Sequence, residues 1–308
     1  MRRAFLTAIT ELAASDPGVM LLTGDTGFHV FDQFQQQFPG QYINVGISEA
    51  AMIGMAAGLA LSGKRVFVYG IAPFVTLRCL EQIRVDLCYQ RVPVVIVGVG
   101  TGLTYGTSGA THHTIEDVAV LNCLPGMTVV CPGDPVETSA LVRAAIALDG
   151  PCYLRIGKSG EPVVHQQGVS GVRIGQGITL QRGSDVAIIA SGTMLATASE
   201  ACGLLAEQGI APELVSMHTI KPLDRDLLTA LAERFAVMVT VEEHTVIGGL
   251  GSAVATVLAT QGSAVRLLMA GIPDQYAEPA GSQEWLRERY HLTPARLAER
   301  VAGFVRQG

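Results

Sequence analysis

The sequence predicts an α/β fold with two domains, each a mostly parallel sheet flanked by helices. Nearly all-aliphatic runs such as residues 92–99 alternate with segments of helical spacing. Strands that read as continuous apolar runs are typical of parallel sheets covered on both faces. A polar, glycine-rich stretch without periodicity at 162–175 indicates a domain boundary. We therefore expect a first domain at residues 1–160, a linker at 161–175 and a second domain at 176–308.

The composition narrows the class of protein. A chain of 308 residues, 49% of them apolar and 16% charged, is long enough for two cores. A net charge of −6 without a basic run argues against nucleic acid or an anionic membrane as the main partner. Six cysteines without CxxC spacing are typical of reduced core residues. Because Glu11 and Asp16 interrupt the N-terminal segment too early for a signal peptide, we expect a cytoplasmic protein.

The first domain is predicted to begin with a helix at 3–14 and a buried strand at 19–23 that ends in Gly24-Asp25-Thr26-Gly27. A short extended run at 41–45 then leads into an apolar helix that starts at Glu49. The periodicity predicts further strands at 64–69, 92–99, 127–131 and 152–156, and helices at 73–89, 118–124 and 135–148.

Glu49 is the first candidate for a functional residue. The helix that follows it has almost no polar residues, so we expect this helix to be buried. In a purely structural interpretation, Ser48 caps the helix and Glu49 complements its positive end. However, a carboxylate that opens a helix at the carboxyl end of a strand also lies where open α/β sheets bind ligands. Shielded from water there, the carboxyl group can share a proton with a ligand nitrogen.

The second candidate is a glycine- and threonine-rich loop at 100–117 that contains His112 and His113. A lone histidine is usually structural or solvated, whereas adjacent histidines in a glycine loop after a buried strand are a better candidate for a site. Arg155 lies at the end of a predicted strand, where an arginine suits a bidentate contact to an oxyanion. A surface ion pair is an equally good interpretation for Arg155 and for Lys158.

The second domain repeats the alternation. Strands are predicted at 185–191, 212–217, 237–242 and 265–270, and helices at 193–208 and 224–234, followed by a helix that opens at Gly248-Gly-Leu-Gly251 and by two terminal helices. The glycine run is only a fragment of a nucleotide-binding motif. Close helix packing is therefore the better interpretation of these glycines.

Three motifs resemble one family. Asn44-Val-Gly-Ile-Ser-Glu49-Ala, with the small-residue helix after it, resembles the pyrimidine-binding segment of thiamine-diphosphate enzymes of the transketolase type. Gly109-Ala-Thr-His-His-Thr-Ile-Glu116 is similar to their Gly-Pro-Thr-His-Gln-Pro-Ile-Glu pattern. Val241-Glu-Glu-His-Thr-Val-Ile-Gly-Gly-Leu-Gly-Ser252 resembles their C-terminal domain signature. The resemblance covers essentially the whole chain, and it implies a pyrimidine-binding domain followed by a transketolase C-terminal domain.

The resemblance implies roles in binding the cofactor, thiamine diphosphate. Glu49 matches the glutamate that bonds N1′ of the aminopyrimidine and activates the cofactor. Phe74 matches the aromatic residue that stacks on the same ring, although an ordinary core phenylalanine is nearly as good an interpretation. Ile47 and Asp25 would lie beside the cofactor.

The resemblance also implies roles toward the substrate. His112 and His113 would handle oxyanion stabilisation and proton transfer, and Arg155 would grip an acidic group. Ser108 stands where relatives that act on sugar phosphates usually carry an aspartate, and Tyr105 would fill some of the same space. The identity of the sugar therefore stays open.

The matched segments correspond to two of the three domains of a complete transketolase. The third domain binds the diphosphate and its Mg²⁺ or Ca²⁺, and Gly24-Asp-Thr-Gly27 does not complete that domain's motif. We therefore expect no metal site in this chain and an N-terminal transketolase subunit as its partner in an α2β2 heterotetramer.

The leading interpretation is the C-terminal subunit of a split transketolase, active only with its partner, that transfers a two-carbon ketol unit from a ketose or ketose phosphate to an aldose. One alternative is the β subunit of a 2-oxoacid dehydrogenase first component, or a deoxyxylulose-phosphate-synthase-like enzyme, that uses pyruvate. A non-catalytic binding or scaffold subunit is an alternative of another class.

Overall fold

The computed structural model describes residues 1–27, 29–165 and 171–307, which form two sheets flanked by helices. The predicted fold class is confirmed. The predicted linker at 161–175 lies partly outside the described residues. In the described part of the chain the strands are β1 (Val19–Thr23), β2 (Tyr42–Asn44), β3 (Arg65–Ile71), β4 (Val94–Val99), β5 (Thr128–Val130), β6 (Cys152–Ile156), β7 (Ile178–Gln181), β8 (Val186–Ala190), β9 (Pro212–Ser216), β10 (Thr219–Lys221), β11 (Val237–Thr245) and β12 (Arg266–Ile272).

The first sheet has the strand order β10-β5-β6-β4-β3-β1-β2. Its strands are parallel except β10, which comes from the second half of the chain and pairs antiparallel with β5 through Thr219 and Val130. The second sheet has the order β12-β11-β8-β9-β7, with β7 antiparallel to β9. The sequence did not predict β7 or β10. Both are short strands at sheet edges, where an apolar run is not required.

Along the described ranges, helices precede, connect and follow the strands of the two sheets. They are α1 (Arg2–Ser15), α2 (Asp32–Gln37), α3 (Glu49–Leu61), α4 (Ala72–Val75), α5 (Leu80–Gln82), α6 (Asp117–Asn122), α7 (Pro135–Ala145), α8 (Met194–Glu207), α9 (Arg225–Arg234), α10 (Leu250–Thr260), α11 (Gln283–Arg289) and α12 (Pro294–Arg306). None of the helices in the described ranges is long and apolar enough to cross a membrane.

The predicted helix at 73–89 is not continuous. It is divided into α4, a 3-10 turn at Leu77–Cys79, α5 and a π-helical segment at Ile83–Tyr89. The α-helix is interrupted at Thr76, whose φ and ψ are −112° and −74° and whose hydroxyl donates to the carbonyl of Ala72, 2.6 Å away. A π-helical turn widens a helix, and such turns are frequent at functional sites.

The apolar core links the two sheets. One cluster contains Met52 and Ile96 of the first sheet layer together with Ile189 and Met217 of the second, all with no exposed surface. Close packing also explains the glycines that open α10. A Cβ atom at Gly249 would lie 2.1 Å from Oε2 of Glu242. The interpretation of this glycine run as a packing feature therefore agrees with the geometry.

Candidate active site

The candidate site lies at the carboxyl edge of the first sheet. Asp25 follows β1, Glu49 follows β2, Phe74 follows β3, and the loop that carries His112 follows β4. Because these strands are parallel neighbours, their carboxyl ends bring the four segments to the same edge. The fold thereby gathers residues that are distant in sequence.

Glu49 is buried at the start of α3, with 4% of its side chain exposed. The structural alternative holds only in part, because Glu49 lies in the first turn of α3 as expected but Ser48 makes no side-chain capping bond. One carboxylate oxygen, Oε2, accepts a hydrogen bond from Nη1 of Arg78 at 3.0 Å. Arg78 itself is 47% exposed. Among the residues that the structure describes, this shielded carboxylate is thus held by one arginine side chain, which is itself half-exposed.

Six residues form a continuous line of contacts, which we call the contact row. The guanidinium of Arg78 lies 4.3 Å from the centroid of the Phe74 ring. The ring centroids of His112 and Phe74 are 5.2 Å apart, and the two ring planes are inclined by 72°. The ring of Tyr105 lies 6.2 Å from His112, and Nζ of Lys158 lies 4.8 Å over the centroid of Tyr105. In order, the contact row is Glu49, Arg78, Phe74, His112, Tyr105 and Lys158.

The two adjacent histidines have different surroundings. His112 is half-buried, and its Nδ1 lies 3.0 Å from the hydroxyl of Thr111. His113 is only 3% exposed, and its Nε2 bonds the carbonyl of Gly106 at 3.1 Å. The geometry therefore does not support the expectation for His113, because its ring is buried within the loop and bonded to it. His112 is the more accessible of the two rings.

Asp25 and Ile47 border the site on the side of Glu49. The backbone N–H of Asp25 donates to Oδ1 of Asn44 at 3.0 Å, and the N–H of Gly46 donates to the same oxygen at 2.9 Å. Asn44 therefore ties the loop after β1 to the loop before α3. Ile47 projects from that second loop with 77% of its surface exposed.

Ser108 and Tyr105 belong to the histidine loop. Ser108 is exposed in a 3-10 turn, Gly106–Ser108, and its N–H donates to the carbonyl of Tyr105 at 2.8 Å. Tyr105 is half-buried, and burial raises the pKa of its phenol. Gly100 allows the ring of Tyr105 to take this place, since its φ is +72° and a Cβ atom there would lie 2.0 Å from the ring.

Arg155 does not face the contact row. It is 5% exposed, its Nε donates to Oδ2 of Asp117 at 2.9 Å, and its Nη2 donates to the carbonyls of Thr114 and Glu243. The carboxylate of Asp117 also accepts from the hydroxyl of Tyr153. Neither predicted interpretation of Arg155, a substrate anchor or a surface ion pair, matches this geometry. Arg155 forms a buried ion pair with Asp117 inside the first domain, and its bond to the carbonyl of Glu243 reaches the second sheet.

Glu243 is the centre of the polar contact between the two halves of the chain. Its Oε1 accepts the N–H of Leu103 at 2.9 Å, and its carboxylate is paired with Arg287 of α11. The side chain is 1% exposed, and these donors lower the pKa of Glu243 even though burial alone would raise it. The loop that carries the histidines is thereby fixed to the second sheet.

Sequence reasoning missed Arg78 and the partner of Arg155. A signal for Arg78 was present, because it lies four residues after Phe74 in the predicted helix at 73–89, a spacing that brings side chains together on a helix. The contact forms although the helix is interrupted between them. Asp117 stood at the end of the predicted loop, directly before the helix predicted at 118–124, but nothing in the sequence showed that it pairs with a residue 38 positions away.

A planar group with N–H donors fits between Glu49 and Phe74, since the guanidinium of Arg78 already makes both contacts. An aminopyrimidine requires a carboxyl group that can bond a ring nitrogen and an aromatic face on which the ring can stack, and Glu49 and Phe74 supply these two groups. Over the described ranges, the structure brings no three His, Cys, Asp or Glu side chains together in a way that could hold a metal ion.

The fold, together with Glu49 and Phe74, defines the class of protein: an α/β chain with a pyrimidine-binding domain followed by a second α/β domain. Residues 1–161 match the family model of the transketolase pyrimidine binding domain, and residues 175–297 match that of the transketolase C-terminal domain. The chain belongs to the transketolase family, as the sequence motifs predicted.

Relatives match over the full length or over half of it. The chain is 37% identical to one of the subunits of the apulose-4-phosphate transketolase of Phocaeicola vulgatus, covering 99% of this chain and 97% of the relative. It is also 37% identical to the 1-deoxy-D-xylulose-5-phosphate synthase of Heliobacterium modesticaldum, covering 97% of this chain but 46% of that protein. A solved structure described as "Split gene transketolase, inactive beta4 tetramer" superposes with a TM-score of 0.91 at 37% identity, over 98% of this chain and 97% of that one.

Proposed function

We propose that this chain is the C-terminal subunit of a two-chain transketolase that uses thiamine diphosphate to transfer a two-carbon ketol unit from a ketose to an aldose in the cytoplasm. The observation that carries the proposal is the buried carboxylate of Glu49, which Arg78 links to the face of the Phe74 ring. A full-length relative named as one subunit of a transketolase supports it. So does the full-length likeness to a split-gene transketolase chain.

Each residue of the site then has a chemical task. Glu49 holds a proton at a ring nitrogen of the pyrimidine, and Phe74 stacks on the ring, with Ile47 and Asp25 at its border. When bound, thiamine diphosphate supplies a carbanion able to add to the ketose carbonyl. His112 would donate a hydrogen bond to the carbonyl oxygen of the substrate, where negative charge develops.

The far end of the contact row is where we place the rest of the substrate. The half-buried ammonium of Lys158 lies over the ring of Tyr105 and can bind an acidic group, the task first expected of Arg155. Ser108 is exposed on the same loop and can donate to a sugar hydroxyl. Lysine suits this task as a point charge on a flexible stem.

The partner subunit is inferred from the surface of α3. This helix was expected to be buried, yet one of its faces is exposed and carries only small or apolar side chains: Ala51, Gly54, Met55 and Gly58. Ile47 extends the same surface in front of Glu49. An exposed apolar face next to a candidate site is typical of a protein interface. We propose that an N-terminal transketolase subunit covers it, holds the diphosphate with its Mg²⁺ or Ca²⁺, and forms an α2β2 heterotetramer.

The proposal is tested by reconstitution. The chain is co-purified with a subunit that carries a diphosphate-binding domain, and ketol transfer is measured with ketose phosphates, unphosphorylated ketoses and pyruvate as separate donors. We expect turnover that requires thiamine diphosphate, a divalent cation and both chains. Substantial turnover by this chain alone, or none with any donor in the complex, would refute the proposal.

The interface is tested by one substitution on α3. Gly58 has open space around it, with no heavy atom within 4 Å of an added Cβ, so Gly58→Glu leaves the fold intact and places a charge on the apolar face. Gly203→Glu is the matched control, because Gly203 is an exposed, open position on α8. We expect only Gly58→Glu to abolish association, measured by analytical ultracentrifugation. Equal association of both variants would remove α3 from the interface.

A pyruvate-dependent enzyme is the second candidate. The observation that favours it is the 37% identity to a 1-deoxy-D-xylulose-5-phosphate synthase, equal to that for the transketolase relative. In the donor experiment, turnover with pyruvate and with no ketose would select this candidate over ketol transfer.

A further inference from the structure

Arg78 makes the two contacts that the proposed function requires of a pyrimidine. Its Nη1 donates to Glu49 at 3.0 Å, and its planar guanidinium lies 4.3 Å from the centroid of the Phe74 ring. A guanidinium and an aminopyrimidine are both flat groups whose N–H bonds lie in the plane. We propose that the side chain of Arg78 occupies the place of the pyrimidine ring and must be displaced before the ring can bind.

Arg78 and a pyrimidine would compete for the same two contacts, the carboxylate of Glu49 and one face of the Phe74 ring. The carboxylate is 4% exposed, and within the described part of the chain Arg78 supplies its side-chain hydrogen bond, at Oε2. A second flat group cannot lie on the same face of Phe74 while the guanidinium is there. The arginine can leave, because half of its side chain is already exposed and its stem is long and flexible.

Displacement links cofactor binding to the partner chain. Taking Arg78 away from Glu49 removes an ion pair from a shielded carboxylate, and the pyrimidine must replace it. Contacts to the rest of the cofactor, which the proposed function assigns to the partner, can offset this cost. The chain alone therefore favours its own arginine, and the complete assembly favours the cofactor.

This inference rests on the proposed function, because only that function makes an aminopyrimidine the ligand of Glu49. It is tested without measuring turnover. The full chain is titrated with 4-amino-2-methylpyrimidine, and binding is followed by chemical-shift changes. We expect Arg78→Ala to bind this probe at least threefold more tightly than the unmodified chain, because the competitor is gone.

Two further variants complete the test. Arg143→Ala is the matched control, since Arg143 is 45% exposed and pairs with Glu11 on the surface; it should bind the probe like the unmodified chain. Arg78→Lys keeps a positive charge beside Glu49 but removes the planar group from Phe74, so it too should bind the probe more tightly. Arg78→Lys decides the question if Arg78→Ala does not fold.

Chemical rescue separates competition from a general loosening of the fold. Methylguanidinium should weaken probe binding to Arg78→Ala toward the level of the unmodified chain and leave the unmodified chain unaffected. Weaker, equal or undetectable probe binding in both Arg78 variants would overturn the inference. The two-chain complex could still transfer ketol units in that case, so this failure is distinct from a failure of the proposed function.

Discussion

Glu49 and Glu242 are two buried carboxylates in similar settings with different surroundings. Each lies between a strand and a glycine-containing helix, Glu49 at the start of α3 and Glu242 on β11 against α10, and they are 4% and 3% exposed. Glu242 accepts the backbone N–H groups of Leu250 and Gly251, both at 2.8 Å. Glu49 accepts a bond from one half-exposed arginine.

The difference separates a structural carboxylate from a functional one. Backbone donors at a helix start cannot move away, and Gly249 leaves no room for a ligand beside Glu242. Burial raises the pKa of Glu242 to about 7, although the N–H groups of Gly251 and Leu250 oppose the rise. A side-chain donor such as Arg78 can be exchanged for a ligand. The type of partner is therefore more informative than burial alone.

The largest effect expected from this comparison is on catalysis. Glu49→Gln should lower kcat/KM of the two-chain complex by roughly 10³-fold, because an amide cannot hold a proton for the pyrimidine nitrogen. The melting temperature of the chain should change little, since glutamine has the same shape and can still accept from Arg78. Circular dichroism melting and turnover are measured on the same preparations.

For Glu242→Gln we expect the reverse pattern, a loss of stability with little loss of activity. An amide offers one acceptor where the carboxylate serves two backbone N–H groups, so the free energy of unfolding should fall by about 1–3 kcal/mol. The remaining folded enzyme should keep most of its activity. If Glu242→Gln abolished turnover and left the melting temperature unchanged, the distinction between the two carboxylates would be wrong.

Arg155 extends the comparison of structural and functional side chains to a buried cation, whose partners are Asp117 and two backbone carbonyls. Arg155→Met should lower the free energy of unfolding by about 3–5 kcal/mol, because Asp117 would be left buried without its partner. Arg182→Met is the control, since Arg182 pairs with Glu213 but is 74% exposed. Urea unfolding of both variants is the measurement. A large loss of substrate affinity with unchanged stability would restore the role first expected of Arg155.

The two histidines test the same distinction within one loop. His112→Ala should reduce kcat/KM about 10²-fold with little change in stability, because the ring lies against Phe74 in the contact row, where the substrate is proposed to bind. His113→Ala should instead destabilise the chain by about 1 kcal/mol, as expected for loss of its bond to Gly106. Activity and thermal melting of both variants are compared. A larger catalytic loss for His113→Ala would reverse the assignment.

Much of the fold could be predicted from the sequence because its strands are continuous apolar runs. The runs at β1, β4, β6 and β8 lie within one or two residues of their predicted positions. The short edge strands were missed, since β7 is only partly buried and β10 spans three residues. The break at Thr76 was missed because it depends on a side-chain bond to the backbone.

The candidate site was predicted in part for a similar reason. Glu49 stood out because it is a lone charge before a dozen small or apolar residues, a local pattern. The surroundings of His113 and Arg155 depend on contacts with Gly106 and Asp117 made by the folded chain. A local pattern selects residue types suited to chemistry, but only tertiary contacts show which of them already have fixed partners.

The last expected effect concerns His165, a buried group that lies between two carboxylates. Its Nδ1 lies 3.0 Å from Oδ2 of Asp134, and its Nε2 lies 3.2 Å from Oε1 of Glu137. Burial disfavours the charged imidazolium, but the bonds to these carboxylates outweigh it and raise the pKa of His165 to about 9. The stabilisation is therefore complete below about pH 6.5, the pKa of an unperturbed histidine, and is lost as the pH rises through 9.

Urea unfolding between pH 6 and pH 9.5 measures this contribution. The free energy of unfolding should fall with rising pH by about 1–2 kcal/mol more in the unmodified chain than in His165→Gln, because only the unmodified chain loses the proton. His29→Gln should follow the unmodified chain, since the side chain of His29 is 92% exposed and its bond to Asp32 is open to water. Parallel curves for the unmodified chain and His165→Gln would show that the imidazole is neutral in the folded protein. Hydrogen-bonding partners that cannot move away would then not be enough to keep a buried side chain charged in this fold. The contrast between Glu49 and Glu242 would then depend only on whether a ligand can reach the carboxylate.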